Sequence, residues 1–282
     1  MNLLDRLCPP AGPRPTLLNS LPKSGTHLLS KAMDLLPGIQ RAPVHFGQTS
    51  AARFEQTAPA ATPLVPIGID WPHLVVLASL HEALKQVKPG HYVTGHIPFS
   101  EALAALLTRM EMKSLLMIRD PRDIVVSHAR HVSKTTKHFL SDLYRPLSPA
   151  ERITVSIRGV EPVGDDGPRL LDIAQRCRSV MPWMAQSFNY TTAFEKLVGP
   201  QGGGSRTSQR QELEAITNHI GLHLSAAEIE QAAAQVFGGT NTFDRGAIGS
   251  WRKEFSPAHR ALFKELAGQS LIEWGYEQDL DW

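Results

Sequence analysis

Two short segments of this 282-residue chain place basic and hydroxyl residues where a strand pattern changes to a helix pattern, and a third is a basic loop with two glycines. The first, Leu21–Leu29, reads LPKSGTHLL, so Lys23 is followed by a serine, a glycine and a threonine. The first N–H groups of a helix lack internal partners and carry positive potential, so a phosphate or a sulfate fits there. The segment therefore predicts anion binding, and the alternative is an ordinary helix that Ser24 caps.

A nucleotide triphosphatase would carry the lysine of its phosphate loop after the second glycine, in the pattern GxxxxGK[ST]. Here Lys23 precedes Gly25, and GK[ST] occurs nowhere in the chain. The pattern disfavours a P-loop-type kinase of small metabolites. That kinase and a catalytically inactive nucleotide-binding protein are kept as alternatives.

The second segment, residues 116–127, again predicts a strand, a turn and a helix. Arg119 ends the strand beside the crevice that forms at the carboxyl edge of a parallel sheet. Its guanidinium could offer a forked donor to a phosphate, and Ser127, two turns into the helix, could add a hydroxyl. For Asp120 and Arg122, surface capping and ion pairing are the expected roles.

The third segment, residues 242–252, reads TFDRGAIGSWR, and its two glycines three positions apart predict backbone close to a ligand. In their order and spacing, PKSGT, IRDPRDIVVS and FDRGAIGSW resemble the motifs of sulfotransferases that use 3′-phosphoadenosine 5′-phosphosulfate (PAPS). Three ordered motifs are more specific than one, because chance matches multiply. The resemblance runs from about Pro15 to near the C-terminus.

The resemblance implies a binding site for each part of the donor. Phe194 would lie near the adenine, where the family often has a tyrosine. The residues implied to bind the two ends of the donor are Lys23, Ser24, Gly25, Thr26 and His27 for the 5′-phosphosulfate, and Arg119, Ser127, Arg245 and Gly246 for the 3′-phosphate.

His96 follows the strand pattern HYVTG, at the same predicted sheet edge as Lys23 and Arg119. A histidine there can titrate near neutral pH, although most histidines serve other purposes. Its segment TGHIP resembles the family's THxP, which implies that His96 is the catalytic base. By the same resemblance, Lys23 would neutralise the leaving phosphate and Ser127 would restrain Lys23. Histidines without a motif are expected to be surface or core residues, namely His91, His128, His131 and His138.

Strand patterns alternate with helix patterns around these segments, which predicts an α/β fold whose parallel sheet is covered on both faces. The resemblance implies the P-loop-like sulfotransferase fold, with about five strands. Residues 1–282 are expected to form a single domain that begins with a flexible segment, residues 1–14. The predicted elements are the strands Pro15–Leu21, His91–Gly95 and Lys113–Ile118 and the helices Ser24–Leu36, Pro121–Lys137, Pro168–Gln186, Gln209–Ile220, Ala226–Phe237 and Pro257–Glu273.

Two stretches, Gly38–Trp71 and Phe139–Asp166, lack periodicity and predict irregular functional loops around an acceptor pocket. Residues 201–205, QGGGS, predict a flexible surface loop. Four aromatic residues of the two stretches would either line the acceptor pocket or anchor the loops to the core, namely Phe46, Phe54, Trp71 and Phe139.

The composition argues against several classes of partner and against a metal site. A net charge of +2 disfavours nucleic acid and acidic membranes. The N-terminus does not predict a signal peptide, and Leu74–Leu80 is too short to span a bilayer. Cys8 and Cys177 form neither a disulfide nor a metal pattern, which favours a cytoplasmic location and no metal.

The predicted reaction is in-line sulfuryl transfer from PAPS to a hydroxyl, or an amine, of a small molecule, leaving adenosine 3′,5′-bisphosphate (PAP).

Overall fold

A computed structural model describes residues 12–54, 62–164, 167–238 and 246–282. The strands of the described residues are β1 (Thr16–Ser20), β2 (Gln40–Phe46), β3 (Leu64–Ile67), β4 (His73–Val76), β5 (His91–Gly95), β6 (Lys113–Ile118) and β7 (Asn189–Ala193).

The main sheet has five parallel strands in the order β2-β5-β1-β6-β7. β3 and β4 form a separate antiparallel pair. β1 is the central strand, and all five of its residues are buried. The five-stranded parallel sheet that the resemblance implied is confirmed.

Helices cover the sheet, and none among the described residues is long and apolar enough to cross a membrane. The α-helices of these residues are α1 (Thr26–Asp34), α2 (Leu77–Lys85), α3 (Glu101–Arg109), α4 (Pro121–Lys134), α5 (Ser141–Tyr144), α6 (Pro149–Arg158), α7 (Ile173–Val180), α8 (Phe194–Leu197), α9 (Arg206–His219), α10 (Ala226–Gln235), α11 (Trp251–Glu254) and α12 (Pro257–Glu273).

Each face of the sheet carries its own hydrophobic core, because neighbouring residues of a strand point to opposite sides. Leu17 of β1 packs into the core on one face, and Leu18 packs into the core on the other. Leu116 and Leu115 of β6 divide in the same way. A strand buried on both faces must be apolar at successive positions, which is the pattern that made β1 and β6 recognisable.

The structure contains the elements that the sequence predicted from strong patterns, at nearly the predicted positions. The bounds predicted for β5, β6 and α12 agree residue for residue, and those of β1, α1, α4, α9 and α10 differ by a few residues. The predicted helix Pro168–Gln186 is shorter, since α7 begins after its cap, Asp172, and a 3₁₀ helix, Met181–Ala185, follows it. The end of the expected N-terminal segment is anchored, because the Arg14 N–H donates to the Ile220 carbonyl; residues 1–11 lie outside the described residues.

The expectation of irregular loops in residues 38–71 and 139–166 is wrong for much of their described part; residues 55–61 and 165–166 lie outside the described residues. The first stretch contains β2 and β3, and the second contains α5 and α6. β2 carries Pro43 and is partly exposed, which an edge strand tolerates but which hides the strand pattern. α6 begins with Pro149 and with a capping box of Ser148 and Glu151, a local signal that the apolar periodicity did not reveal.

Arg122 is buried, whereas a surface position was expected. Its guanidinium pairs with Asp120 at 2.8 Å and with Glu277 at 2.5 Å. It also lies over the rings of Trp251 and Trp282, 4.0 and 4.4 Å from their centroids. The expected capping is confirmed, because Asp120 also accepts the Arg122 N–H at the start of α4. A guanidinium cannot neutralise itself by losing a proton, so these acceptors and rings keep its charge compensated.

We expect Arg122→Ala to lower the free energy of unfolding by about 3–5 kcal/mol, because it leaves buried acidic groups uncompensated. Urea denaturation measures the change. Arg145→Ala is the matched control: it breaks an exposed pair with Asp142 and should cost less than about 1 kcal/mol. Equal, small losses in both variants would contradict the structural role of Arg122.

Candidate active site

The turn between β1 and α1 has the backbone of an anion-binding loop. Lys23 has φ 72° and Gly25, the N-cap of α1, has φ 118°, so both adopt the left-handed region. The Ser24 N–H donates to the Leu21 carbonyl at 3.1 Å, and the helical hydrogen bonds begin with the one from the Leu29 N–H to the Gly25 carbonyl at 3.0 Å. The N–H groups of the first turn of α1 therefore have no acceptor within the helix. A Cβ at position 25 would lie 2.9 Å from Cδ2 of Phe194, so the close approach requires glycine.

Ser24 holds this loop to the sheet. Its hydroxyl is buried and lies 2.8 Å from the Leu21 carbonyl and 3.0 Å from the Met117 carbonyl, the acceptors to which it donates. The side chain does not line the neighbouring cavity. In this structure, therefore, the Ser24 hydroxyl is committed to the protein, and donor binding by Ser24 stays a prediction.

A cavity of about 240 Å³ opens at the carboxyl ends of β1, β5 and β6. It brings together residues from all three sequence motifs and from the TGHIP segment. Arg245 was predicted for the same site but lies outside the described residues, as does Asp244. The predicted site residues that line the cavity are Lys23, Gly25, Thr26, His27, His96, Arg119, Ser127, Phe194 and Gly246.

His96 is held in one tautomer by the backbone of β1. Its Nδ1 lies 2.7 Å from the Ser20 carbonyl oxygen. Because a carbonyl only accepts, Nδ1 carries the hydrogen and Nε2 keeps its lone pair. Burial lowers the pKa of His96 to about 4, the bond to the Ser20 carbonyl opposes this, and the positive charges of His27 and Lys23 lower it further. The imidazole is therefore neutral at pH 7 and can accept a proton at Nε2.

Hydroxyl groups connect the base to the phosphate loop. Ser20 Oγ lies 2.6 Å from Thr26 Oγ1 and 3.3 Å from His96 Nδ1. Asn19, which precedes Ser20, is hydrogen-bonded to Ile97, which follows His96. Its side chain donates to the Ile97 carbonyl and accepts the Ile97 N–H, both at 2.9 Å. The loop and the base are thus positioned by the same two residues of β1.

A second histidine, His45, lies beside the base and has no sequence motif. Its ring contacts that of His96 edge to face, with centroids 5.1 Å apart, and its Nδ1 lies 2.9 Å from Thr94 Oγ1. Burial lowers the pKa of His45 to about 3, and repulsion from Arg41 and from the protonated form of His96 lowers it further. His45 therefore packs against the base as a neutral ring without lining the cavity itself. It was missed because β2 was not recognised.

Arg119 lies between the phosphate loop and the C-terminal motif. Its Nη2 donates to the Ala247 carbonyl at 2.9 Å, and its guanidinium carbon lies 4.2 Å from the centroid of the Phe194 ring. Its Nε is buried and has no hydrogen-bond partner among the described residues. A buried guanidinium N–H without an acceptor is costly, so this arginine fits an anionic ligand.

Asp123 attaches the C-terminal motif to α4, a role that the sequence did not reveal. Its carboxylate accepts the backbone N–H of Gly249 at 2.7 Å and of Trp251 at 2.9 Å, and Arg119 lies 3.6 Å away. Burial raises the pKa of Asp123, while Arg119 and the two N–H groups act in the opposite direction. The carboxylate thus links the two motifs expected at the 3′-phosphate.

Residues 201–205 were predicted to be a flexible surface loop; residues 201, 203 and 205 are exposed, but part of this glycine run packs against the C-terminal motif. Gly202 is buried, and its carbonyl accepts the Ile248 N–H at 3.0 Å. A Cβ at position 202 would lie 2.2 Å from Val198 and 2.5 Å from the Gly246 carbonyl. The glycine run therefore lets the C-terminal motif approach α8 closely, a tertiary contact that composition alone does not indicate.

Polar residues without a motif line the same cavity. They come from the loop after β3 and from α4 and the turn that follows it. The four aromatic residues considered for the acceptor pocket do not line the cavity; Phe46 and Phe54 belong to the core, and Trp71 packs against Phe139. The described residues contain no cluster of three or more metal-ligating side chains. The polar lining residues that the sequence analysis missed or set aside are Asp70, His128, Arg130, His131 and His138.

Comparisons with known proteins identify the family and the fold. A family model described as the sulfotransferase domain matches residues 13–154. The structure of mouse sulfotransferase SULT7A1 complexed with PAP is similar at TM-score 0.59 and 16% identity, covering 92% of this chain and 84% of that one. Retinol dehydratase in complex with androsterone and inactive cofactor PAP is similar at TM-score 0.56 and 13% identity, covering 93% and 82%. No curated protein matches in sequence. The structural likeness confirms the implied fold.

We expect Asp123→Asn to lower the free energy of unfolding by about 1–3 kcal/mol, because an amide offers one oxygen where two N–H groups need acceptors. Hydrogen exchange should show loss of protection at the Gly249 and Trp251 amides. Asp142→Asn, at an exposed position, should change neither measurement. Retained protection at both amides in Asp123→Asn would contradict the link.

Proposed function

Since the chain belongs to the sulfotransferase domain family, whose model matches residues 13–154, we propose that it transfers a sulfuryl group from PAPS to a small molecule. The accepting atom is a hydroxyl oxygen or an amine nitrogen. One observation carries the proposal: a single cavity combines the Lys23 loop, Arg119 and a neutral histidine, His96, whose Nε2 is available. Anion binding and proton acceptance are the two tasks that this reaction requires.

The residues present fit both phosphates of PAPS. The loop N–H groups, the N-terminus of α1 and the Lys23 ammonium suit the 5′-phosphosulfate. The buried Arg119 Nε, which lacks an acceptor, suits the 3′-phosphate, and Ser127 and Gly246 line the same cavity. Phe194 offers an apolar wall for the adenine. Two structurally similar proteins were solved with PAP, which supports this donor.

When bound, PAPS supplies a sulfuryl group joined to a phosphate that leaves as PAP. His96 Nε2 accepts the proton of the attacking hydroxyl, because Nδ1 is committed to the Ser20 carbonyl. Lys23 and the helix N-terminus stabilise the negative charge on the leaving side, an effect worth about 3 kcal/mol for one well-placed donor. Ser127 restrains Lys23 until the acceptor arrives. The proposed transfer would proceed in line, as phosphoryl transfer does.

The alternatives fit less well. Phosphoryl transfer by a P-loop kinase would use a lysine that follows the loop glycine, whereas Lys23 precedes Gly25. An inactive nucleotide-binding protein would not need a base held in a single tautomer beside its phosphate loop. Cys177 is a buried free thiol, which favours a reducing, cytoplasmic compartment.

We expect the purified protein to bind PAP in calorimetry and to prefer it to ATP, with or without Mg²⁺. Arg119→Ala should weaken PAP binding by about 10- to 100-fold, because charge-assisted hydrogen bonds are lost. Arg145→Ala removes an exposed arginine and should leave the affinity unchanged. Thermal melting of each variant separates lost binding from lost folding. Preference for ATP with Mg²⁺ would favour the kinase instead.

We expect His96→Gln to lower kcat by about 10²- to 10⁴-fold while PAP still binds, because only the proton acceptor is lost. The measurement is PAP release from PAPS with a panel of alcohols, phenols and amines. His223→Gln, an exposed histidine outside the cavity, is the control. Full turnover by His96→Gln would show that another group is the base.

The same assignment predicts a pH dependence. The proton-accepting form of His96 is lost as the pH falls through its pKa, which is about 4 in the free protein. PAP binding should raise this pKa, because phosphate offsets the positive charges of His27 and Lys23. Histidine NMR titration with and without PAP measures both values, and a pKa that falls on binding would contradict the proposed position of the phosphates.

A further inference from the structure

The cavity has an apolar end and a polar end. The apolar lining belongs to the core that packs under α1, β6 and α8, namely Leu28, Phe194, Val198 and Val236. The polar end carries a carboxylate, several imidazoles and a guanidinium whose charge is paired with Glu254. These residues are Asp70, His96, His128, Arg130, His131 and His138. The apolar end is the part proposed for the adenine, so an acceptor that reaches His96 meets mostly polar side chains.

Two residues of the polar end, Asp70 and His128, are buried and face each other without a hydrogen bond. Their side chains are 8% and 1% exposed, and His128 Nε2 lies 3.7 Å from Asp70 Oδ2. His128 Nε2 has no hydrogen-bond partner among the described residues. A single oxygen atom beside the line that joins these two atoms could hydrogen-bond to both, because it can lie about 2.8 Å from each.

The surroundings of His128 set the direction of these hydrogen bonds. Ser156 Oγ lies 3.0 Å from His128 Nδ1 and 2.9 Å from the Tyr144 hydroxyl. When Tyr144 donates to Ser156 and Ser156 donates to Nδ1, the remaining imidazole hydrogen is on Nε2. The opposite tautomer would direct the Nε2 lone pair at the Asp70 carboxylate, which is unfavourable. Nε2 is therefore the donor, and Asp70 Oδ2 is the acceptor.

The charge of the pair is already balanced. Arg176 is fully buried and pairs with Asp70 Oδ1 at 3.3 Å. Burial holds the pKa of His128 well below its usual value, and Arg176 lowers it further, so the ring is neutral. A cationic group would find the carboxylate charge compensated, and an anionic group would meet Asp70 Oδ2. A neutral hydroxyl, which accepts from Nε2–H and donates to Oδ2, satisfies both groups.

Lys23 connects this pair to the place of reaction. Its positive charge lowers the pKa of His128, His131 and His138 as well as that of His96. The charge of the ammonium group therefore acts on both the base and the histidines of the polar end. A ligand that presents one hydroxyl to His96 can extend into the polar end of the same cavity.

We propose that Asp70 and His128 bind a second, non-reacting hydroxyl of the acceptor, which makes the acceptor a neutral polyhydroxylated molecule, such as a diol or a sugar. This inference rests on the proposed sulfuryl transfer. A site built to hydrogen-bond a hydroxyl strongly rejects an analogue without it, because its buried polar groups are then left unpaired. The pair therefore selects diols over apolar single alcohols.

The test compares cis-1,2-cyclohexanediol with cyclohexanol, which lacks only the second hydroxyl. PAP binding is measured first by calorimetry. Each compound is then added, up to its solubility limit, to the PAP complex of ¹⁵N-histidine-labelled protein while NMR follows the His128 Nε2 signal. His128→Phe assigns that signal, and His223→Phe, at an exposed position outside the cavity, is the matched control.

We expect the diol to shift the His128 Nε2 signal and cyclohexanol to leave it unchanged. With PAPS, kcat/KM should favour the diol by at least about 10-fold in the wild type, and His128→Phe should lose this preference. No shift with the diol, or equal shifts with both compounds, would overturn the inference, and the pair would then hold only a water molecule. Failure of PAP to bind would overturn the proposed function instead, and the titration of the free protein would still decide whether the pair binds a hydroxyl. If His128→Phe does not fold, the wild-type titration alone decides.

Discussion

The register of three parallel strands is the constraint on which the site depends. β1 pairs with β5 on one side and with β6 on the other, so that Asn19 lies opposite Gly95 and Ser20 opposite Met117. Parallel strands end at the same edge, which places the phosphate loop, His96 and Arg119 around one crevice. A shift of one residue in β5 would turn His96 away and would move buried side chains such as Val93 to the opposite face. Stability and function therefore require the same register.

Within that frame, buried polar groups rather than surface contacts position the functional residues. The Ser24 hydroxyl fastens the phosphate loop to β6, the Ser20 carbonyl sets the tautomer of His96, and the Asp123 carboxylate attaches the C-terminal motif to α4. Each contact satisfies a polar group that would be costly to bury alone. Rigid support of this kind keeps a site organised before its ligand arrives.

The electrostatics of the cavity suit a doubly phosphorylated donor. Lys23 and Arg119 supply fixed positive charge, and burial keeps the neighbouring histidines neutral, so they can exchange hydrogen bonds with a neutral acceptor. The fixed charges lie toward the phosphate loop, whereas the carboxylate of Asp70 is balanced by Arg176. The phosphates of the proposed donor would thus meet fixed positive charge, and the hydroxyl of the proposed acceptor would meet a pair whose charge is balanced.

Local sequence patterns were enough to predict the elements with strong periodicity and the residues of the contiguous motifs. β5, β6 and α12 follow directly from their apolar patterns, and Lys23, His96 and Arg119 follow from their positions at strand ends together with the family resemblance. Local patterns suffice there, because an apolar run or a glycine turn expresses its structure within a few residues. Residues 38–71 and 139–166 were misjudged, since an edge strand with a proline and short capped helices carry weak periodicity.

The contacts between distant segments became visible only in the folded structure. In the fold, Arg122 is buried against two tryptophan rings, and the Asp123 carboxylate accepts the backbone N–H groups of residues 249 and 251. Gly202 lets the C-terminal motif approach closely, because it has no side chain. The fold also places Asp70 and His128, 58 positions apart (128 − 70), on one cavity wall. Charged and imidazole side chains resemble surface residues when their sequence neighbours alone are known. Their burial depends on partners that the fold supplies from elsewhere in the chain.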